Sequence, residues 1–162
     1  MKNIHDWFSE YGESHQNKTN KVIHWICIPL IFWSIIALLS LIPFPAFFNQ
    51  DPFLKTFMHW GTVVILFGLI FYLNLSFKIF LGMLLFSVIV LYSIKELLLV
   101  ACVNDTVLFY ISLSVFIFSW ILQFIGHKIE GKKPSFLKDI QFLLIGPAWL
   151  IGFIYNILKI KY

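Results

Sequence analysis

Five long apolar runs dominate the pattern of hydrophobic and polar positions along the chain. They cover residues 22–42, 60–77, 79–103, 107–125 and 140–157, with short polar segments between them. Each run approaches the roughly 17 to 25 residues that a helix needs to cross the hydrocarbon core of a bilayer. Runs of this length without regular glycine or proline punctuation favour helices over strands. The pattern therefore predicts an all-α fold, a polytopic membrane helix bundle of about five spans.

Two local features refine this architecture. Gly146 and Pro147 predict that the last span is kinked or re-entrant, because proline removes a backbone donor from a helix. Ahead of the first run, apolar side chains recur at three- and four-residue intervals: Ile4, Trp7, Phe8 and Tyr11. This stripe predicts an N-terminal amphipathic helix. It either lies in the membrane interface or packs on the ends of the bundle.

Composition supports the membrane class. Hydrophobic residues make up 60% of the 162 positions and charged residues only 12%, too few to cover a soluble domain. No linker divides the chain, so residues 1–162 are expected to form a single domain.

All twelve cationic side chains are lysines, which argues against a nucleic-acid partner and favours a bilayer surface. Cys27 and Cys102 are isolated, so neither a disulfide framework nor a thiolate metal site is indicated.

The lysines also predict the orientation of the bundle. Five crossings place the N-terminal tail, Lys78 and the segment 126–139 on one side of the membrane. That side carries eight of the twelve lysines, and lysine-rich loops remain in the cytoplasm. The polar segments 11–25 and 120–135 both belong to this side, and they contain three of the five histidines.

The first polar segment places two histidines near one span. His15 and His24 are nine residues apart, so an unbroken helix would hold them on opposite sides. Asn17, Thr19 and Asn20 are residue types that end or cap helices, and they predict a break between the two histidines. With the chain turned there, His15 folds back over the start of the first span.

The second polar segment supplies a third imidazole. Gln123 and His127 form an i, i+4 pair at the end of the fourth span, and Glu130 follows within one turn. Gly126 and Gly131 are expected to loosen the helix there. Histidines that converge from three separate elements make a candidate metal site with open coordination positions.

This arrangement leaves two interpretations open. In the first, His15, His24 and His127 bind a metal ion, and three nearby groups orient the imidazoles or add a ligand: Asn20, Gln123 and Glu130. In the second, the histidines only form hydrogen bonds, and the protein is a non-catalytic lipid-binding scaffold. His5 is expected to be solvated, and His59 is expected to anchor the interface beside Trp60.

The two polar segments resemble those of a known family. The patterns are His15-x-Asn17-x-x-Asn20-x-x-x-His24 followed by Pro29, and Gln123-Phe124-x-Gly126-His127 followed by Glu130-x-Lys132-Lys133-Pro134. They are similar to the 2-hydroxy fatty acid dioxygenase family of small polytopic membrane proteins. The resemblance implies an iron(II) enzyme that uses dioxygen to shorten a long-chain 2-hydroxy fatty acid by one carbon in the breakdown of a sphingolipid base. It also implies the endoplasmic reticulum for a eukaryotic protein, or the inner membrane for a bacterial one.

The family's histidines fall on His15, His24 and His127. The fungal member has another histidine where this chain has Gln16, so the resemblance implies a three-histidine site completed by water, Glu130 or substrate. Position 18 is Lys where the family often has Pro. The residues themselves leave zinc open as the metal, in which case the same site would activate water to hydrolyse a lipid amide or ester. The sequence indicates no oligomeric state.

Overall fold

A computed structural model describes residues 2–45, 57–99, 103–135 and 141–162. Within these ranges every regular element is a helix, which confirms the all-α prediction. The six helices are α1 (Ile4–Gly12), α2 (Lys18–Ser40), α3 (Trp60–Leu75), α4 (Phe77–Leu99), α5 (Asp105–Glu130) and α6 (Phe142–Ile157).

The five apolar runs correspond to α2 through α6. Three of these helices, α2, α4 and α5, contain 23 to 26 residues and are long and apolar enough to cross a membrane. The other two, α3 and α6, are apolar but contain 16 residues each. Large apolar side chains such as Phe67, Leu85 and Phe118 are exposed on the outside of the bundle, as expected for surfaces that contact lipid.

Polar and glycine residues set the helix ends near the two polar segments. Asn17 caps α2, and its side-chain oxygen accepts a hydrogen bond from the backbone N–H of Thr19 at 2.9 Å. The predicted break between His15 and His24 is therefore confirmed. Gly131, in the left-handed conformation with φ of 74°, ends α5. The prediction that Gly126 loosens this helix is wrong, because α5 stays regular through that position.

The antiparallel pair α2 and α5 is the most extensive helix contact in the described part of the chain. Small or short side chains allow the two helices to approach closely. They recur every seven residues and are buried on both helices: Asn20, Cys27 and Ser34 on α2, and Ser112, Ser119 and Gly126 on α5. This packing puts the start of α2 beside the end of α5.

Helix α6 packs on α1, α2 and α4. The apolar stripe of α1 is buried against it, with the Trp7 ring edge-on to Phe142 at 5.2 Å and the Tyr11 ring 5.5 Å from Trp149. Of the two placements expected for the N-terminal helix, the structure thus shows packing on the bundle. Helix α6 continues through Pro147 without a break.

Several sequence predictions fall on residues outside the described ranges. Cys102, Lys55 and Lys138 lie there, together with residues 100–102 of the run 79–103 and the first residue of the run 140–157.

Candidate metal centre

Three buried histidines meet at one end of the α2–α5 pair. His15 comes from the α1–α2 connection, His24 from the second turn of α2 and His127 from the last turn of α5. Their ring centroids lie 4.3 to 5.1 Å apart, and one nitrogen from each ring lies within 4.8 Å of the other two. The exposed fractions of the three residues are 1%, 1% and 5%. The structure therefore brings together the three imidazoles that the sequence singles out.

His15 is held by the end of α1. Its Nδ1 lies 2.6 Å from the carbonyl oxygen of Tyr11, and its ring stacks on the Tyr11 ring at 4.2 Å. Because a carbonyl only accepts, Nδ1 carries the proton, and Nε2 is left as a buried atom with no hydrogen-bond partner. Burial lowers the pKa of His15 to about 4, so the ring is neutral at pH 7. The lone pair on Nε2 is thus free to bind a ligand.

His24 is oriented in the same way by its own helix. Its Nδ1 lies 3.0 Å from the carbonyl oxygen of Asn20, one turn earlier, which again leaves Nε2 as the nitrogen with the lone pair. The three rings are inclined to one another by 71° to 83°. In His127, Nδ1 is buried and makes no hydrogen bond.

These observations fit a metal ion. A buried polar atom without a partner costs free energy, and coordination would satisfy His15 Nε2 and His127 Nδ1 together. Metal-binding histidines usually donate the other ring N–H to a carbonyl or carboxylate, as His15 and His24 do here. Three imidazole nitrogens suit iron(II) and zinc alike.

Glu130 lies beside this group and holds the segment that carries His15. Its carboxylate accepts hydrogen bonds from the backbone N–H groups of Gln16 and Asn17, at 2.7 and 2.8 Å, and from the Asn20 side chain at 3.1 Å. Asn20 is fully buried and also donates to the carbonyl of Ser14 at 3.1 Å. Both residues therefore position the connection between α1 and α2.

The segment after α5 makes contacts that the sequence analysis did not predict. The hydroxyl oxygens of Ser14 and Ser135 are 2.5 Å apart and buried, and Lys132 donates to the carbonyl of Glu13 at 2.8 Å. These contacts join residues more than a hundred positions apart, and no local pattern marks them. By contrast, the contact between His15 and the carbonyl of Tyr11 joins residues only four positions apart, a spacing that one helical turn brings together.

A cavity of about 230 Å³ begins at the three imidazoles. Gln123, which is buried, lines it near His127. Beyond this polar end the walls are apolar and come from three helices: Ile28, Ile31 and Ile35 of α2, Phe116 and Trp120 of α5, and Phe142, Leu143 and Pro147 of α6. The site thus combines a group of metal-binding side chains with a chamber suited to an apolar molecule.

The other two histidines lie elsewhere. His5 is exposed and stacks on Tyr162, with ring centroids 5.6 Å apart. His59 is buried immediately before α3. Neither contributes to the group of three.

Comparison with known proteins identifies one family. The model of the family described as 2-hydroxy-palmitic acid dioxygenase Mpo1-like matches residues 1–158, nearly the whole chain. No curated protein and no solved structure matches.

Proposed function

We propose that this chain, which belongs to the 2-hydroxy-palmitic acid dioxygenase Mpo1-like family, is an iron(II)-dependent dioxygenase that removes one carbon from long-chain 2-hydroxy fatty acids. The family description supports dioxygenase chemistry and this class of substrate. The observation that carries the proposal is the group of three buried imidazoles at the mouth of an apolar cavity. We place the site on the cytoplasmic side of the membrane, on the basis of the lysine distribution.

The reaction is balanced without an external reductant. The bond between C1 and C2 of the acid breaks, C1 leaves as carbon dioxide, and C2 becomes the carboxyl carbon of the shortened acid. One oxygen atom of dioxygen completes the carboxyl group of the shortened acid, and the other leaves as water. The substrate itself provides all the electrons, so neither a nicotinamide nor a flavin is required.

Each part of the site has a defined task. His15, His24 and His127 hold the metal, which supplies the redox chemistry that activates dioxygen when it is bound. The carbonyl oxygens of Tyr11 and Asn20 fix the orientation of two of the rings. The apolar walls exclude water from the reacting end and receive the hydrocarbon part of the substrate.

The direct test uses purified protein loaded anaerobically with iron(II) and 2-hydroxypalmitic acid labelled at C1. On admission of dioxygen we expect labelled carbon dioxide and an acid one carbon shorter. The matched control substrate is 3-hydroxypalmitic acid, which has the same tail and should not be shortened. Absence of the shortened acid, from protein that still retains its iron, would contradict the proposal.

The same three histidines also suit zinc, which makes hydrolysis of a lipid amide or ester the second candidate function. Elemental analysis of the purified protein separates the two functions. Zinc without iron, together with turnover that needs no oxygen, would favour the hydrolase.

A further inference from the structure

The cavity beside the histidines is elongated along two helices. On α2 its wall runs from His24 through Ile28 and Ile31 to Ile35, a single helix face of twelve residues. At a rise of about 1.5 Å per residue this face extends about 16 Å. On α5 the wall runs in the opposite direction, from His127 to Phe116, over the same number of residues. The cavity therefore extends from the end of the bundle that carries the histidines toward the middle of the bundle.

The cavity lies in a cleft between α5 and α6, with α2 as its floor. Helix α5 packs along α2, whereas α6 packs on α1, α2 and α4 and, within the residues that the structure describes, makes no comparable contact with α5. Two lining residues, Ile35 of α2 and Leu143 of α6, are 37% and 44% exposed. The cleft is thus open on one side to the surrounding lipid. A chain lying in it would keep part of its surface against the bilayer.

We propose that this cleft seats the alkyl tail of the substrate, and that Ile35 and Phe116 at its inner end determine which chain lengths are accepted. The inference rests on the proposed function, because it places the carboxyl end of the acid beside the three imidazoles. An extended chain of about a dozen methylene groups then reaches from the histidines to Ile35. Walls formed by isoleucine, phenylalanine and tryptophan side chains match the chemistry of such a tail.

The two inner residues have different roles in this account. Ile35 forms the far end of the α2 wall, and a larger side chain there would shorten the space for the tail. Phe116 forms the far end of the α5 wall, and its truncation would lengthen the space. Chain length should therefore respond in opposite directions to Ile35→Trp and Phe116→Ala.

The test measures which acids the protein retains and does not depend on turnover. Detergent-purified protein is mixed with equal amounts of saturated 2-hydroxy acids of about 10 to 20 carbons, separated rapidly from free acid, and the bound acids are identified by mass spectrometry. Ile26→Trp is the matched control, because Ile26 lies on α2 but is exposed outside the cavity. The oxidation products of the same mixture are measured separately, with protein that retains iron(II) and with dioxygen admitted.

We expect Ile35→Trp to shift the preferred length by roughly two to four carbons toward shorter acids, Phe116→Ala to shift it toward longer ones, and Ile26→Trp to leave it unchanged. Unchanged preferences in both inner variants, or no acid retained by the unaltered protein, would overturn the inference. Shifted binding without oxidation would support the inference and contradict the proposed function. Oxidation of the acids with no shift in the preferred chain length would support the proposed function and contradict the inference.

Discussion

The side-chain oxygen of Asn20 occupies the space that a Cβ atom on Gly126 would need. A glycine at this position in α5 therefore allows the start of α2 to approach closely. The rings of His24 and His127, one on each helix, consequently lie with their centroids 4.8 Å apart. This contact between a buried amide and a glycine sets the spacing of two of the three candidate metal-binding side chains.

Replacing Gly126 by alanine should separate the two helices at this end. The added methyl group must displace Asn20, which also donates to Ser14 and Glu130. We expect a loss of about 1–3 kcal/mol in stability, as is typical of overpacking, and at least about a tenfold weaker metal affinity. Thermal unfolding in detergent and metal titration measure the two effects. Gly68→Ala is the control, since its added Cβ would meet no atom closer than 3.8 Å; equal effects of the two substitutions would contradict the role of the Asn20 contact.

Alanine substitution of any one of His15, His24 and His127 should abolish stoichiometric metal binding, because each ring supplies one nitrogen of the three-histidine group. Metal content of the purified variants, measured by elemental analysis, provides the readout. His5→Ala serves as the control, since that ring is exposed and lies outside the group. Unchanged metal content in all three variants would support the non-catalytic scaffold.

Removal of the Glu130 carboxylate should release the segment that carries His15. Glu130→Ala removes the acceptor for two backbone N–H groups and the Asn20 amide, and hydrogen bonds to a charged group contribute about 1.5–3 kcal/mol each. We expect faster proteolysis within residues 13–17 and weaker metal binding, with a smaller effect from Glu130→Gln, which keeps one acceptor oxygen. Glu10→Gln, which alters only an exposed ion pair with Lys2, should change neither property. If Glu130→Ala lowers metal affinity but leaves proteolysis unchanged, a direct ligand role would replace the positioning role.

Ser135→Ala should weaken the contact between the segment after α5 and the His15 connection. The hydroxyl groups of Ser14 and Ser135 are 2.5 Å apart, but Ser14 also lies 3.3 Å from the Tyr11 carbonyl and keeps that partner. The expected loss is therefore modest, about 1 kcal/mol, with metal binding retained. Thermal unfolding of this variant is compared with that of Ser9→Ala, an exposed position on α1. Loss of metal from Ser135→Ala would show that the contact maintains the site itself.

The sequence predicts those parts of the site that depend on local chain geometry. Asn17 marks the start of α2, and the spacing of His15 and His24 requires a break that this residue provides. The five apolar runs likewise predict five helices, because length and composition alone favour that structure.

Other parts depend on contacts between distant segments. The three donors to Glu130 and the pairing of Ser14 with Ser135 exist only after α5 has packed on α2. The sequence predicts that Gly126 loosens the helix, since glycine has a low intrinsic helix propensity. The role of Gly126 in allowing close helix packing follows only from the position of the Asn20 side chain on α2.

The bond between Asn17 and Glu130 joins positions 113 residues apart. During synthesis the ribosome therefore releases His15 and His24 long before the helix that completes the set exists. Before α5 is made, the growing chain holds only two of the site's three imidazoles, so the complete set forms once α5 has entered the bundle. A chain that stops before α5 therefore lacks one member of the candidate ligand set.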